Sequence, residues 1–426
     1  MGDKDSSNFK WITVGVSLSI LALSATIQYS FSVFFVALLN EFGWSRSMTA
    51  GAYSLFMILH GLISPFAGSL VDRFGPRRVF LSGSLFLGTA FALCSLTRSW
   101  WQLYLFFSVL TSMGVTATGW VPNMTVIQNS FQEKRGLAMG IVSCGTGVAI
   151  LVGVPSVQHL INWVGWRKAY LVMAVFIPVS IIFMVMIFMR NRPRIAPSGH
   201  MKERVIPTVS RDPAMVDTDW ISRTWTLRHV ISTRQFWLVG TCMFFNSIVS
   251  QSILTHQVAF WVDGGLDILF ASYIVGMIGV VSIGGKMLWG TLSDKIGREV
   301  TYTLVIACGV CGMLSLIVFT FLASPSIPFL YVLFFGLGYA GTAVLPPLVT
   351  ADFFAGRTYG KIFGVIFVFT GIGGALGAWL AGFVYDHMRS YVPFLIFAIA
   401  CAIIACLAVW IAAPRKVRAV PGKRME

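Results

Sequence analysis

The sequence predicts an all-α membrane protein with twelve transmembrane helices in two pseudo-symmetric six-helix halves. Three observations carry that prediction. Hydrophobic residues fill 56% of the 426 positions and charged residues only 11%, with a mean hydropathy of +0.79, whereas soluble domains carry about 25% charged residues. Apolar runs of about 20 residues, the length a bilayer core demands, recur twelve times. A charged, glycine-bearing loop occurs at corresponding places in the first and second halves of the chain.

The first run, Trp11 to about Leu39, exceeds a signal-peptide core and shows no small-residue cleavage pattern, so it stands as the first spanning helix. The next five begin near Met48, Val79, Trp101, Gly136 and Ala169 and complete an N-terminal half over residues 1–190. Residues 191–234 form the long hydrophilic stretch. It carries Pro193, Pro197, Pro207 and Pro213 early and a basic, helix-capable run from Trp220 to Arg234, and reads as a cytoplasmic linker ending in a surface helix. Runs beginning near Phe236, Phe270, Val300, Pro328, Gly360 and Tyr391 make the C-terminal half, 235–413, followed by a basic cytoplasmic tail, 414–426. The 41 glycines and 14 tryptophans suit close helix contacts and aromatic belts at the bilayer surface.

An even number of spans puts both termini on one side. Of the 31 Lys and Arg residues, only Arg46, Arg98, Arg167, Lys168 and Arg389 fall in loops of the other side, and Lys286 falls within a span. The positive-inside rule then places both termini and the central loop in the cytoplasm of a multi-pass protein of the cell membrane. The net charge of +15 is thereby topological, and neither nucleic acid nor an obligate protein partner is expected beside the lipid bilayer. Seven cysteines, an odd number lying in apolar stretches, predict no disulfide framework. The CxxC of Cys308 and Cys311 lacks a second ligand pair, so no metal or cofactor is expected. No nucleophile, base and orienting group share a constellation, which argues against an enzyme.

The repeat reads Gly68-Ser-Leu-Val-Asp72-Arg73-Phe-Gly75-Pro-Arg77-Arg78 and, about 222 residues later, Gly290-Thr-Leu-Ser-Asp294-Lys295-Ile-Gly297-Arg298. Glycine permits a tight turn, Asp72 or Asp294 can cap a neighbouring helix, and Arg73, Arg77, Arg78, Lys295 and Arg298 can pair with acids or lipid phosphates. These loops are read as conformational gates, with plain anchoring as the alternative. Pro122, Gly136 and Gly140 are echoed by Pro346, Gly360 and Gly364.

Gly68 to Arg78 resembles the loop between helices 2 and 3 of the major facilitator superfamily. Phe131 to Gly140, with Gly145-Thr146, resembles the signature opening helix 5 of monocarboxylate transporters. Oxalate:formate antiporters are similar there, at Gln28-Tyr29-Ser30 and at Gly290 to Arg298. The resemblance implies a rocker-type carrier of small carboxylates with a helix 8 cation holding the anion. Lys286 stands where those families place arginine, exchanging a bidentate fork for an amine that can release its proton. Ser282 replaces the acid of proton-coupled animal members, and Ile366 replaces the second cation of the antiporters.

All 16 acids can be placed outside the spanning cores or at their ends, which argues against a cationic substrate and against an Asp/Glu proton relay. Lys286 lies eight residues before Asp294, roughly 12 Å from the helix end against a half-thickness near 15 Å. A lone ammonium at that depth costs about 2.5 to 3.5 kcal/mol, and its natural partner is an incoming monocarboxylate. Snorkelling, or a neutral amine against backbone carbonyls, are the alternatives.

His256 follows a polar string from Asn246 to Thr255 and could relay a proton or simply be hydrogen-bonded; His60, alone in its run, reads as structural. Trp120 and Asn123 share a flank of helix 4, where Pro122 frees a carbonyl; Asn123 suits a carboxylate or helix contact equally. Phe363 and Phe367, four apart in helix 11, offer an aromatic wall or ordinary packing. Tyr29 and Tyr339 each present a ring and one donor. Substrate binding is therefore expected at Lys286, Asn123, Tyr29, Trp120, Tyr339, Phe363 and Phe367, and proton coupling at Lys286 and His256. The expected activity is proton-coupled symport of small monocarboxylates of the L-lactate or pyruvate class by alternating access; the alternative is a carboxylate exchanger of the oxalate:formate type.

Overall fold

The computed structural model describes residues 3–130, 135–188, 220, 225–354 and 359–417. Twelve helices have the length and apolarity of membrane spans: α1 Trp11–Phe42, α2 Arg46–Ala67, α3 Pro76–Cys94, α4 Trp100–Ile127, α5 Ala138–Val164, α6 Trp166–Phe188, α7 Arg234–Asp263, α8 Ile268–Ile296, α9 Arg298–Leu322, α10 Ile327–Phe354, α11 Tyr359–Met388 and α12 Val392–Lys416. Large apolar side chains such as Phe66, Val175, Phe183, Met287 and Phe321 point outward, as lipid-facing surfaces require.

Caps set the helix ends. The hydroxyl of Ser45 accepts from Met48 N ahead of α2, Thr233 accepts from Phe236 N ahead of α7, and Asp267 accepts from Leu269 N and Phe270 N ahead of α8. In the repeated loops Gly75 and Gly297 adopt φ of +82° and +95°, a left-handed turn that side chains resist. The motif glycines are therefore what reverses the chain at one end of the bundle, here termed the motif end.

The halves, α1–α6 and α7–α12, meet along two seams, α2 with α11 and α5 with α8. Small residues make both possible. A Cβ on Gly61 would stand 3.0 Å from Gly371 Cα, and one on Gly279 would stand 2.5 Å from Gly147 O, so backbones touch where larger residues would hold the helices apart.

Of the expected surface helix at the linker's end, the described part is a single short helix, Leu227–Ile231. The tryptophans before it dock on the motif end of α10. Trp220 Nε1 donates to Phe353 O at 2.8 Å, and Trp225 meets Phe354 edge-on. Most of the linker and the residues after 417 lie outside the described residues.

Candidate functional site

Between the halves lies a cavity of about 190 Å³. α1 contributes Gln28 and Tyr29, α2 Met57 and His60, α4 Trp120, α5 Thr146, α7 Asn246 and Gln251, α8 Lys286, α10 Tyr339, and α11 Phe363 and Phe367. Residues as far apart as Gln28 and Phe367 thus converge because the two halves close on each other. Among the described residues no Asp or Glu lines the cavity.

Lys286 is half-buried at the α5/α8 seam. Its Nζ donates to Thr146 Oγ1 at 2.7 Å and to Ser143 O at 3.4 Å, both on the opposing half. It forms no ion pair among the described residues. A half-buried amine with neutral acceptors alone keeps part of its desolvation penalty as an ammonium, and no described residue supplies the balancing negative charge. Ser282, one turn earlier, is buried with its hydroxyl unpartnered.

The tyrosines meet each other. Tyr29 and Tyr339 share a hydroxyl–hydroxyl bond of 2.6 Å across the halves. Beside them Gln28 Nε2 donates to Tyr53 Oη at 3.2 Å, and Tyr53 donates to Gln251 Oε1 at 2.8 Å, a second bridge from α1 and α2 to α7. Phe363 and Phe367 lie with ring centroids 6.3 Å apart, and Phe367 sets its ring edge-on to His60 at 5.8 Å.

His60 has the bonded, stacked setting of a structural residue, and it also faces the cavity. It lines the cavity, with Nδ1 bonded to Thr116 Oγ1 at 2.8 Å and its ring stacked on Phe56. The signal was its spacing: Tyr53, Met57 and His60 fall at i, i+4 and i+7 on one helical face.

Asn123 and His256 are not brought to the cavity. Asn123 is fully buried and its Nδ2 donates to Thr118 O and Gly119 O, both at 2.7 Å. Pro122 has no N–H for Thr118 O, and the Asn123 amide takes that freed acceptor. His256 follows Asn246 by ten residues, roughly 15 Å further along the helix. There its Nδ1 meets Tyr391 Oη at 3.0 Å and its Nε2 meets Ala378 O at 2.9 Å.

His256 therefore borders a different structure, a clasp between the halves at the end opposite the motif loops. Arg46 N and Ser47 N, opening α2, donate to the carboxylate of Asp386 at 2.9 and 2.8 Å. The Arg46 guanidinium pairs with Asp263 at 2.7 Å, donates to Tyr391 Oη and lies 3.7 Å from the Tyr385 ring centroid. His159 on α5 and Tyr273 on α8 add a cross-half bond of 2.6 Å at that end.

A family model described as Major Facilitator Superfamily matches residues 17–352 and 310–426. The chain belongs to the major facilitator superfamily. It is 24% identical over 399 residues to an oxalate:formate antiporter of Oxalobacter formigenes, covering 90% of each chain. It is 25% identical over 391 residues to monocarboxylate transporter 13 of Rattus norvegicus, covering 89% of this chain and 83% of that one. In fold it is similar to a bacterial homolog of the human lysosomal transporter Spinster, solved inward-facing and unoccupied, with a TM-score of 0.71 at 14% identity over 97% of this chain and 99% of that one.

In this major facilitator the described contacts of the second repeated loop centre on Arg298. Arg298 is buried and binds Asp352 at 2.8 Å and Asp294 at 2.9 Å. Arg77 instead approaches the Met186 sulfur, Arg73 lies 5.3 Å from the Phe74 ring, and Arg78 is exposed. Lys295 is exposed, and the Asp72 side chain lies outside the described residues.

Proposed function

We propose that this chain is a secondary carrier of small monocarboxylates, of the L-lactate or pyruvate class, which moves them with a proton by alternating access. The observation that carries the reading is Lys286, an amine at the seam between the halves in a cavity lined among the described residues by no carboxylate. One cation accommodates one anionic charge. The kinship with monocarboxylate transporters supports the substrate class.

The proton rides on Lys286. A neutral amine is content with Thr146 Oγ1 and Ser143 O, whereas the ammonium is stabilised by a bound carboxylate, so acid and proton enter and leave together. The net movement is then electroneutral and escapes the roughly 2.3 kcal/mol per 100 mV acting on a lone anion. His256, away from the cavity, supports Tyr391 in the clasp.

In this reading the cavity opens toward the motif end. An ion pair, Arg46 to Asp263, bridges the halves at the opposite end. There α7 packs on the Phe31–Phe42 part of α1, while no extensive packing joins α4 to α10 among the described residues. With the motif end cytoplasmic by the positive-inside rule, the cavity faces the cytoplasm and the termini lie there, in a cell membrane. Kinship with an oxalate:formate antiporter favours a second reading, carboxylate exchange.

The deciding experiment is uptake of labelled L-lactate into proteoliposomes under an imposed pH gradient with the membrane potential separately clamped. Acceleration by outside acid with no internal anion is expected for symport. Uptake that requires internal carboxylate and ignores pH establishes exchange. Absence of carboxylate uptake in either regime refutes the assignment.

A further inference from the structure

The cavity is larger than a three-carbon acid needs. At about 190 Å³ it exceeds the cavity of about 150 Å³ that accommodates a benzene molecule in an engineered protein core. Its polarity is also divided. The cation sits at the α5/α8 seam, held by Thr146 and Ser143, whereas the aromatic wall of Phe363 and Phe367 belongs to the α2/α11 seam, where Phe367 meets His60. Trp120 of α4 lines the cavity as well. An acid anchored at Lys286 that extends across the cavity reaches these rings; a methyl group leaves most of that apolar surface facing water.

We infer that the preferred ligands of this site are monocarboxylates bearing an aromatic body of one or two rings, carboxylate on Lys286 and ring against Phe363, Phe367 and Trp120. The inference rests on the carrier reading and sharpens its substrate class. Lactate and pyruvate then occupy the same anchor as weaker ligands, since each buried methylene contributes about 4-fold in affinity. Amino acids are excluded. A zwitterion brings an ammonium that finds no carboxylate on the described cavity wall, and an unpaired buried charge is costly.

The test measures Kd from the ligand-dependent rise in Tm of the detergent-solubilised full chain, which is independent of passive permeation by weak acids. The probes are acetate, L-lactate, phenylacetate, indole-3-acetate and L-phenylalanine. Phenylacetate and indole-3-acetate are expected to bind at least about 10-fold tighter than L-lactate, and L-phenylalanine not to bind. Phe367→Ala is expected to weaken phenylacetate and indole-3-acetate several-fold more than it weakens L-lactate, removing most of that advantage. L-lactate binding as tightly as the aromatic acids, or L-phenylalanine binding like phenylacetate, overturns the inference and leaves the carrier reading standing. Phe367→Ala weakening L-lactate and phenylacetate equally also overturns it. Binding of all the acids unchanged in Lys286→Ala, or of none by the wild-type chain, defeats the carrier reading and this inference with it.

Discussion

The proposed carrier concentrates its chemistry into one side chain, Lys286. Its Nζ contacts only a hydroxyl and a backbone carbonyl among the described residues, so removing it takes away the anion's anchor without orphaning a charged partner. Lys286→Ala is expected to lower L-lactate uptake at least about 100-fold while Tm stays within a few degrees; normal uptake by that variant would refute the site. Lys286→Arg keeps a cation but one that holds its proton permanently, and is expected to retain binding while losing acceleration by outside acid. Asn123 and His256 show where residue-level reading stops. Both are polar groups in spans, but the freed Thr118 carbonyl captures one and Tyr391 with Ala378 captures the other. His256→Gln is accordingly expected to keep the pH dependence of uptake, and loss of that dependence would return the proton to His256.

At the scale of elements, glycine contacts and the Arg46 clasp hold the halves together. Gly279 faces Gly147 O at a distance that leaves a Cβ only 2.5 Å away. Gly279→Ala must therefore push α8 from α5, a shift of backbone rather than of a flexible tip. It is expected to cost about 1 to 3 kcal/mol, seen as a lower Tm, and to misplace Lys286 relative to Thr146. An unchanged Tm would show that the seam is looser than its geometry. The clasp predicts the opposite kind of outcome. Arg46→Ala removes the contacts to Asp263 and Tyr391 and is expected to open that end. In a background with the native cysteines replaced, a cysteine at Gln251 should then react faster with a membrane-impermeant thiol reagent added outside. Reaction at the parental rate would mean that Arg46 does not hold the closure.

For the whole molecule, the prediction concerns sidedness. If the motif end is cytoplasmic, an alkaline phosphatase fused after Glu426 stays inactive in a bacterial host, while the same enzyme inserted between α11 and α12 is active. The reverse pattern would invert the topology drawn from basic residues. The fold itself was legible at this scale: the twelve runs coincide with α1 to α12, and the repeat at Gly68 and Gly290 foreshadowed two halves. The lining of the candidate cavity was legible in part. Lys286, Tyr29, Tyr339, Trp120, Phe363 and Phe367 all line one cavity, whereas the sequence alone reads His60 as structural and Arg46 as a loop charge.

The division follows from the range of the forces involved. Span number, helix ends and the depth of Lys286 depend on hydropathy summed over about 20 neighbours and on a fixed rise per residue, quantities that the sequence determines locally. Which polar faces meet depends on two rigid halves closing against each other. Only that closure joins Tyr29 to Tyr339, sets Phe367 against His60, and draws Arg46 to Asp263 and Asp386. No periodicity within one helix encodes a contact with a helix several hundred residues away, so the cavity and its clasp belong to the tertiary structure.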